Sequence, residues 1–230
     1  MFGTMRQEET KRKIGEAAAN IIQDGMTVGL GSGSTAFYFI QSLISRCKKG
    51  LKIHAAATSK KTLQLAREGG IPLVDVDHLT TLDITVDGAD EIDPLKRMIK
   101  GGGGALVREK IIASMSLEVV IIVDESKLVD HLGTRKLPVE IIPFAHEATK
   151  RKIEKLGFNG EWRKESNGSF YITDNNNLIF DIHFPALRQN PEQDNLEIRS
   201  LPGVVETGFF FNIASKVMIG FFDGQIVTRP

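Results

Sequence analysis

The sequence predicts an α/β fold, a mainly parallel sheet flanked by helices, with a second, smaller α+β domain inserted before the C-terminal strands. Three observations predict it. Helix-like and strand-like patterns alternate through the first half. The strands in that half are short and apolar throughout, as strands buried on both faces are. The second half turns to strands separated by turn residues, and strand-like segments resume near the C-terminus.

Taken in order, Ile14, Ala17, Ala18, Ile21 and Ile22 form the stripe of an amphipathic helix, ended by Asp24-Gly25. Met26–Leu30 reads as a strand, and Gly31–Thr35 as a turn into a helix carrying Phe39, Ile40, Leu43, Ile44 and Cys47. Lys52–Ala57 is a second strand, Lys61–Glu68 a helix closed by Gly69-Gly70, and Pro72–Val76 a third strand. Leu82–Val86 and Glu118–Val123 read as strands around Gly101–Gly104 and the helical stretch Ala105–Ser114. Pro138–Ile142 is strand-like and Glu147–Leu156 helical. Phe170–Thr173 and Leu178–His183 bracket Asp174-Asn175-Asn176-Asn177 as a hairpin, and Asn190-Pro191 starts a further helix. Phe209–Phe211, Val217–Gly220 and Gln225–Thr228 are strands placed to rejoin the first sheet. The domains expected are 1–132 with 205–230, and a ferredoxin-like α+β insert at 133–204.

Composition excludes several classes of function. Lys plus Arg equals Asp plus Glu at 29 each, so no global field draws nucleic acid or an anionic membrane. Cys47 is the single cysteine, which excludes an internal disulfide and suits a reducing compartment. The opening stretch, Met1 to Lys13, is too polar for a signal peptide, and no apolar run approaches the ~18 residues of a membrane span. The expected location is cytoplasmic. His54, His78, His131, His146 and His183 show no ligand spacing, so no metal is expected.

Three segments carry chemistry. Gly29-Leu30-Gly31-Ser32-Gly33-Ser34-Thr35 lies between strand and helix, where glycines admit an anion to backbone N–H groups and hydroxyls add donors. A dinucleotide fingerprint needs glycine where Ser34 stands, and a P-loop needs a lysine that does not follow Gly33. A small phosphate fits, and so does a plain glycine turn with Thr35 as helix cap. Asp87-Gly88-Ala89-Asp90-Glu91 follows a strand, the end that faces the ligand crevice in a parallel sheet. Carboxylates there accept hydrogen bonds from sugar hydroxyls and relay protons, although acid clusters are also common in solvated turns. Lys100-Gly101-Gly102-Gly103-Gly104 is a costly loop unless backbone wraps a ligand, with a flexible linker as the alternative, and Glu109 falls in the opening turns of the next helix, a place equally suited to a simple helix-start acid. Lys127, after the strand 118–123, is placed either to reach the same crevice or to be a surface lysine.

Together, residues 31–36, 87–92 and 100–111, supported by 124–127, 137–143 and 202–208, resemble type A ribose-5-phosphate isomerases in order and spacing over nearly the whole chain. Ser32 stands where that family usually has threonine, and Gly104 where it often has alanine. The resemblance implies interconversion of ribose 5-phosphate and ribulose 5-phosphate without a cofactor, in a homodimer or homotetramer. By that resemblance Ser32, Gly33, Ser34 and Thr35 hold the phosphate. Asp87, Gly88, Ala89 and Asp90, with Lys100, Gly101, Gly102 and Gly103, line the sugar, and Lys127 contacts it. Glu109 matches the proton-transferring glutamate, and Lys11, just before the first helix, a phosphate-facing lysine. The rivals are a sugar-phosphate sensor, which would need a DNA-binding segment, and a deaminase or lactonase of related sugars, which would need a catalytic histidine absent from all three segments.

Overall fold

The structure, a computed structural model, describes the backbone of residues 2–230 and the side chains of residues 6–230; Met1, where the polar opening stretch begins, lies outside the described residues. In chain order come α1 (Phe2–Asn20), β1 (Thr27–Leu30), α2 (Ser34–Lys48), β2 (His54–Ala57), α3 (Lys60–Glu68) and β3 (Leu82–Asp87). Two short strands, β4 (Glu91–Ile92) and β5 (Met98–Ile99), precede α4 (Leu106–Ser114) and β6 (Ser116–Asp124). Then follow β7 (Leu137–Ile141), α5 (His146–Lys155), β8 (Gly160–Trp162), β9 (Leu178–Ile182), α6 (Pro191–Arg199) and β10 (Val204–Thr207). The last strands are β11 (Phe209–Phe210), β12 (Lys216–Gly220) and β13 (Ile226–Arg229).

The chain divides into two units. The first comprises residues up to Ala89, Arg108–Leu128 and Ile213–Pro230; the second comprises Asp90–Val107 and Val129–Asn212. The sequence reading places these boundaries at 132/133 and 204/205. Segment 90–107 groups with the second unit because β4 and β5 pair with β11, and Ile99 joins that unit's core.

The first unit is built on a six-stranded sheet of order β13-β12-β6-β3-β1-β2. All pairings are parallel except β12 with β13, so the chain's tail does rejoin this sheet. Val119–Val123 of β6 are all buried, as a strand covered on both faces requires. On one face Val28, Leu30, Ile84, Val86, Val120 and Ile122 meet Ile14, Ala18 and Ile22 of α1 and Phe39 and Leu43 of α2. On the other, Ile112 of α4 packs on Ala56 and Leu82. Each of the fully buried Leu, Ile and Phe side chains is worth roughly 1.5–3 kcal/mol of transfer from water. The helical stripe expected over residues 39–47 is the buried face of α2, with Cys47 half-buried at its end.

The order of this sheet fixes where a ligand can sit. From β1 the chain passes to β2 on one side and then to β3 on the other, so the strand order reverses at the β1/β3 pair. In open α/β sheets the crevice at such a switch point, beyond the carboxyl ends of the strands, takes the ligand. The loops leaving β1 and β3 begin at Gly31 and Gly88.

The second unit has the order β10-β7-β9-β8, all antiparallel, with α5 and α6 in the connections, a βαββαβ unit of ferredoxin-like topology. Ile153 of α5 and Ile198 of α6 close its core over Val139, Ile141, Phe180 and Ile182.

Three sequence expectations are corrected. Pro72–Val76 is no strand: Leu73 makes one isolated bridge to Ala55, and the Asp75 carboxylate then accepts from Asp77 N–H and winds Val76–His78 into a 3-10 turn. The hairpin expected around the asparagine run is replaced by β8 pairing with β9, while Phe170 bridges Lys164 across the Asn167-Gly168 turn. The asparagine run does turn, with Asn176 N–H donating to Thr173 O at 2.9 Å, and the Asn175 and Asn177 side-chain amides donate to buried Glu140 at 3.0 and 2.8 Å. Finally, Phe209–Phe210 belongs to the small sheet with β5 and β4, whereas β12 and β13 return to the first unit.

Candidate active site

In the first unit, the loop after β1 is held in place from three sides. Gly31 N–H donates to Val86 O at 2.9 Å, Thr62 Oγ1 donates to Gly31 O at 3.1 Å, and Ser32 N–H donates to Asp87 Oδ1 at 3.0 Å. The same Asp87 oxygen accepts from Gly88 N–H at 2.7 Å, so one buried carboxylate ties the loop after β1 to the loop after β3. This needs glycine at 31, where a Cβ would lie 2.2 Å from Asp87 Oδ1.

Gly33 is the N-cap of α2 and makes no side-chain capping bond, so Thr35 does not serve as the cap. The first turn of α2 carries no acidic residue, and its leading N–H groups face out along the helix axis with the positive end of the dipole. Ser34 is exposed at that end and Thr35 is buried. Together they offer backbone N–H and hydroxyl donors at this end of the helix.

Glu109 lies in the first turn of α4 and is 4% exposed. Its Oε1 accepts a short hydrogen bond from the Ser32 hydroxyl. Ser32 therefore joins both acids, Glu109 through its side chain and Asp87 through its backbone. Ser32, Asp87 and the base candidate form one hydrogen-bonded group within this unit.

Two lysines belong to the same unit. Lys127 lies half-buried in the 3-10 turn Glu125–Lys127 that follows β6, hence at the carboxyl end of the sheet. Lys11 is not ahead of the first helix, as the sequence reading had it, but inside α1, because that helix starts at Phe2. It is buried, and its ammonium donates to Glu8 at 2.8 Å. Glu8 also accepts from the Tyr38 hydroxyl of α2 at 2.7 Å. The Lys11 bond, then the Tyr38 bond, holds the Glu8 carboxyl below its ordinary pKa, and the same contact raises the Tyr38 hydroxyl.

In the second unit, Lys100 is 4% exposed, with its N–H donating to Gly208 O at 2.8 Å and its ammonium 5.3 Å from the Phe210 ring centroid. Asp90 N–H donates to Ile99 O at 2.9 Å, and its Oδ2 accepts from Gly102 N–H at 2.8 Å. Asp90 and the glycine loop are thus brought together.

Sequence reasoning missed two residues at this loop. Arg163 Nη1 donates to Gly101 O at 2.9 Å and Gly102 O at 3.0 Å, and the Tyr171 hydroxyl donates to Gly103 O at 3.1 Å. Burial raises the Tyr171 pKa, so this hydroxyl stays protonated and donating. Both residues are some sixty positions along the chain from the loop they hold, with no local spacing to mark them. Among the described residues no group of His, Cys, Asp or Glu side chains is arranged to hold a metal ion, and no helix is long and apolar enough to cross a membrane.

Known proteins resemble this chain over nearly its whole length. The profile of the family described as ribose 5-phosphate isomerase A (phosphoriboisomerase A) matches residues 54–224. The chain is 50% identical over 214 residues to ribose-5-phosphate isomerase A of Bacillus mycoides, covering 93% of this chain and 96% of that one. Among solved structures, it is similar to ribose 5-phosphate isomerase from Plasmodium falciparum, with a TM-score of 0.93 and 39% identity over 96% of this chain and 98% of that one. A D-ribose-5-phosphate isomerase solved in complex with phospho-erythronic acid gives a TM-score of 0.91 at 38% identity, with the same coverage.

Proposed function

Because the chain belongs to the ribose 5-phosphate isomerase A family, we propose that it interconverts D-ribose 5-phosphate and D-ribulose 5-phosphate through an enediolate. The observation that carries this reading is the Ser32 hydrogen bond to Glu109, which puts a buried carboxylate beside an anion cradle at the sheet's switch point. A phosphate held at one end of a pentose supplies binding energy that positions the carbons at the other.

Glu109 is the base. It takes the proton from C2 of the open-chain aldose, the C2–H electron pair forms the C1=C2 bond, and the C1 carbonyl oxygen takes up the negative charge. A proton then passes from the C2 hydroxyl to the C1 oxygen, leaving the negative charge on the C2 oxygen. Return of the first proton to C1 forms the C2 carbonyl and gives the ketose, so one carboxylate serves both carbon steps. Ser32, Gly33, Ser34 and Thr35 hold the phosphate, with Lys11 as a further positive charge. Lys100 and the N–H groups of Gly101–Gly103 stabilise the enediolate oxygen. Asp87 and Asp90 accept from sugar hydroxyls and assist ring opening, while Gly88, Ala89 and Lys127 complete the contacts. The enzyme works without cofactor or metal, as a cytoplasmic homodimer or homotetramer serving the non-oxidative pentose phosphate pathway.

The test is conversion of ribose 5-phosphate by the purified chain, followed by NMR, with glucosamine 6-phosphate as control substrate and phospho-erythronic acid as competitor. Ketose formation from the pentose alone, blocked by the competitor, is the expected result. Turnover of the amino sugar, or saturable binding of ribose 5-phosphate without turnover, contradicts the assignment.

A further inference from the structure

The glycine run is gripped peptide by peptide. A trans peptide points its C=O and N–H in opposite directions, so fixing one fixes the other. In the 101–102 peptide, the carbonyl accepts from Arg163 at 2.9 Å and the N–H donates to Asp90 at 2.8 Å. In the 103–104 peptide, the carbonyl accepts from Tyr171 at 3.1 Å and the N–H donates to Gly101 O at 2.9 Å. The peptide between them is held by its carbonyl, which accepts from Arg163 at 3.0 Å. Its N–H, that of Gly103, is thereby turned to the opposite side of the loop at an exposed position.

The clamp itself is rigid. Arg163 Nε and Nη2 form a two-point pair with buried Asp181 of β9 at 2.8 and 2.5 Å, which leaves Nη1 aimed at the loop. The guanidinium lies 5.7 Å from the Tyr171 ring centroid, and that ring fills the space beside Gly104. Arginine alone among side chains can pair with a carboxylate through one edge and donate from another nitrogen at the same time.

We propose that Arg163 and Tyr171 are positioning residues for the isomerisation, holding the glycine loop in the backbone course that presents the Gly103 N–H as a donor to the developing oxyanion. The loop is then a preformed wall rather than a mobile lid, and its donor needs no reorganisation during the reaction. This inference rests on the isomerase reading above.

Two variants keep the fold. Arg163→Lys retains a cation for Asp181 but cannot also hold both carbonyls, and Tyr171→Phe retains the ring over Gly104 without its hydroxyl. Each is measured for kcat and KM with ribose 5-phosphate, for competitive inhibition by inorganic phosphate, and for amide exchange over residues 101–104. The expected result is a kcat lower on the order of 10-fold for Tyr171→Phe and on the order of 10²-fold for Arg163→Lys, the scale of a misplaced catalytic donor. KM and phosphate inhibition should stay within about twofold of wild type, because the cradle is untouched, and loop amides should exchange faster. Wild-type kcat in both variants overturns the inference while leaving the isomerase reading intact. So does a parallel loss of kcat and phosphate inhibition, which marks general damage. A wild-type chain with no turnover overturns the isomerase reading, and this inference with it.

Discussion

The Ser32 hydroxyl donates to a carboxylate oxygen of Glu109, 77 residues further along the chain. A hydroxyl that donates to the carboxylate of the proposed base also fixes the direction of that carboxylate. A hydrogen bond to a charged group is worth about 1.5–3 kcal/mol, and about 1.4 kcal/mol is tenfold in rate. Ser32→Ala is therefore expected to lower kcat on the order of 10-fold, whereas Ser32→Thr, which keeps the hydroxyl, should remain within about threefold of wild type. Equal kcat in the serine and alanine forms would show that the contact does not serve catalysis.

Glu109→Gln removes the base while preserving shape and one acceptor for Ser32. Loss of a general base costs on the order of 10²-fold or more in kcat. Steady-state kinetics with ribose 5-phosphate measure it, and near-normal turnover would take Glu109 out of the mechanism.

Metal independence follows from the donors proposed. Lysine and backbone N–H groups stabilise the enediolate oxygen, so a Lewis acid has no step to serve. Dialysis against EDTA should leave activity unchanged, and a loss restored by a divalent cation would contradict this chemistry.

Gly104 is matched to Tyr171. Its φ of 79° and a distance of 2.3 Å from a built Cβ to the Tyr171 hydroxyl both exclude a side chain. The sequence marks this fourth glycine only as a place where the resembling family often has alanine; the structure gives glycine a steric reason here. Gly104→Ala should cost about 1–3 kcal/mol, the scale of a non-glycine residue held in a sparsely populated backbone region. Thermal denaturation measures the loss. Adding Tyr171→Ser should recover the steric part, and no recovery would mean that the backbone angle alone sets the cost.

What was legible in the sequence had local causes. Glycines and hydroxyls between β1 and α2, acids at the end of β3 and a glutamate opening α4 all sit where strand and helix periodicity places them. The parallel sheet could be read because its strands are buried on both faces. The turn at Asp174–Asn177 was legible, but the hairpin was misjudged because the segment before it pairs with Arg163 and Lys164 rather than with Leu178–Ile182. Arg163 and Tyr171 were invisible for the same reason: their roles come from sheet pairing in the second unit, which brings distant backbone carbonyls within reach.

Lys100 tests whether a buried ammonium acts on the transition state or merely on binding. Its side chain is held against the Phe210 ring, and an ammonium over an aromatic face gains about 0.5–2 kcal/mol that offsets part of its desolvation. A buried cation interacts strongly with charge that develops on substrate, and weakly with a neutral carbonyl before it does. Lys100→Ala should therefore lower kcat on the order of 10²-fold or more while raising KM only a few-fold. Lys100→Arg should not restore it, because a planar guanidinium cannot present the compact point charge of an ammonium. Phe210→Leu, which removes the aromatic face but keeps the apolar wall, should fall between wild type and Lys100→Ala in kcat. A large rise in KM with kcat intact would instead make Lys100 a residue of ground-state binding.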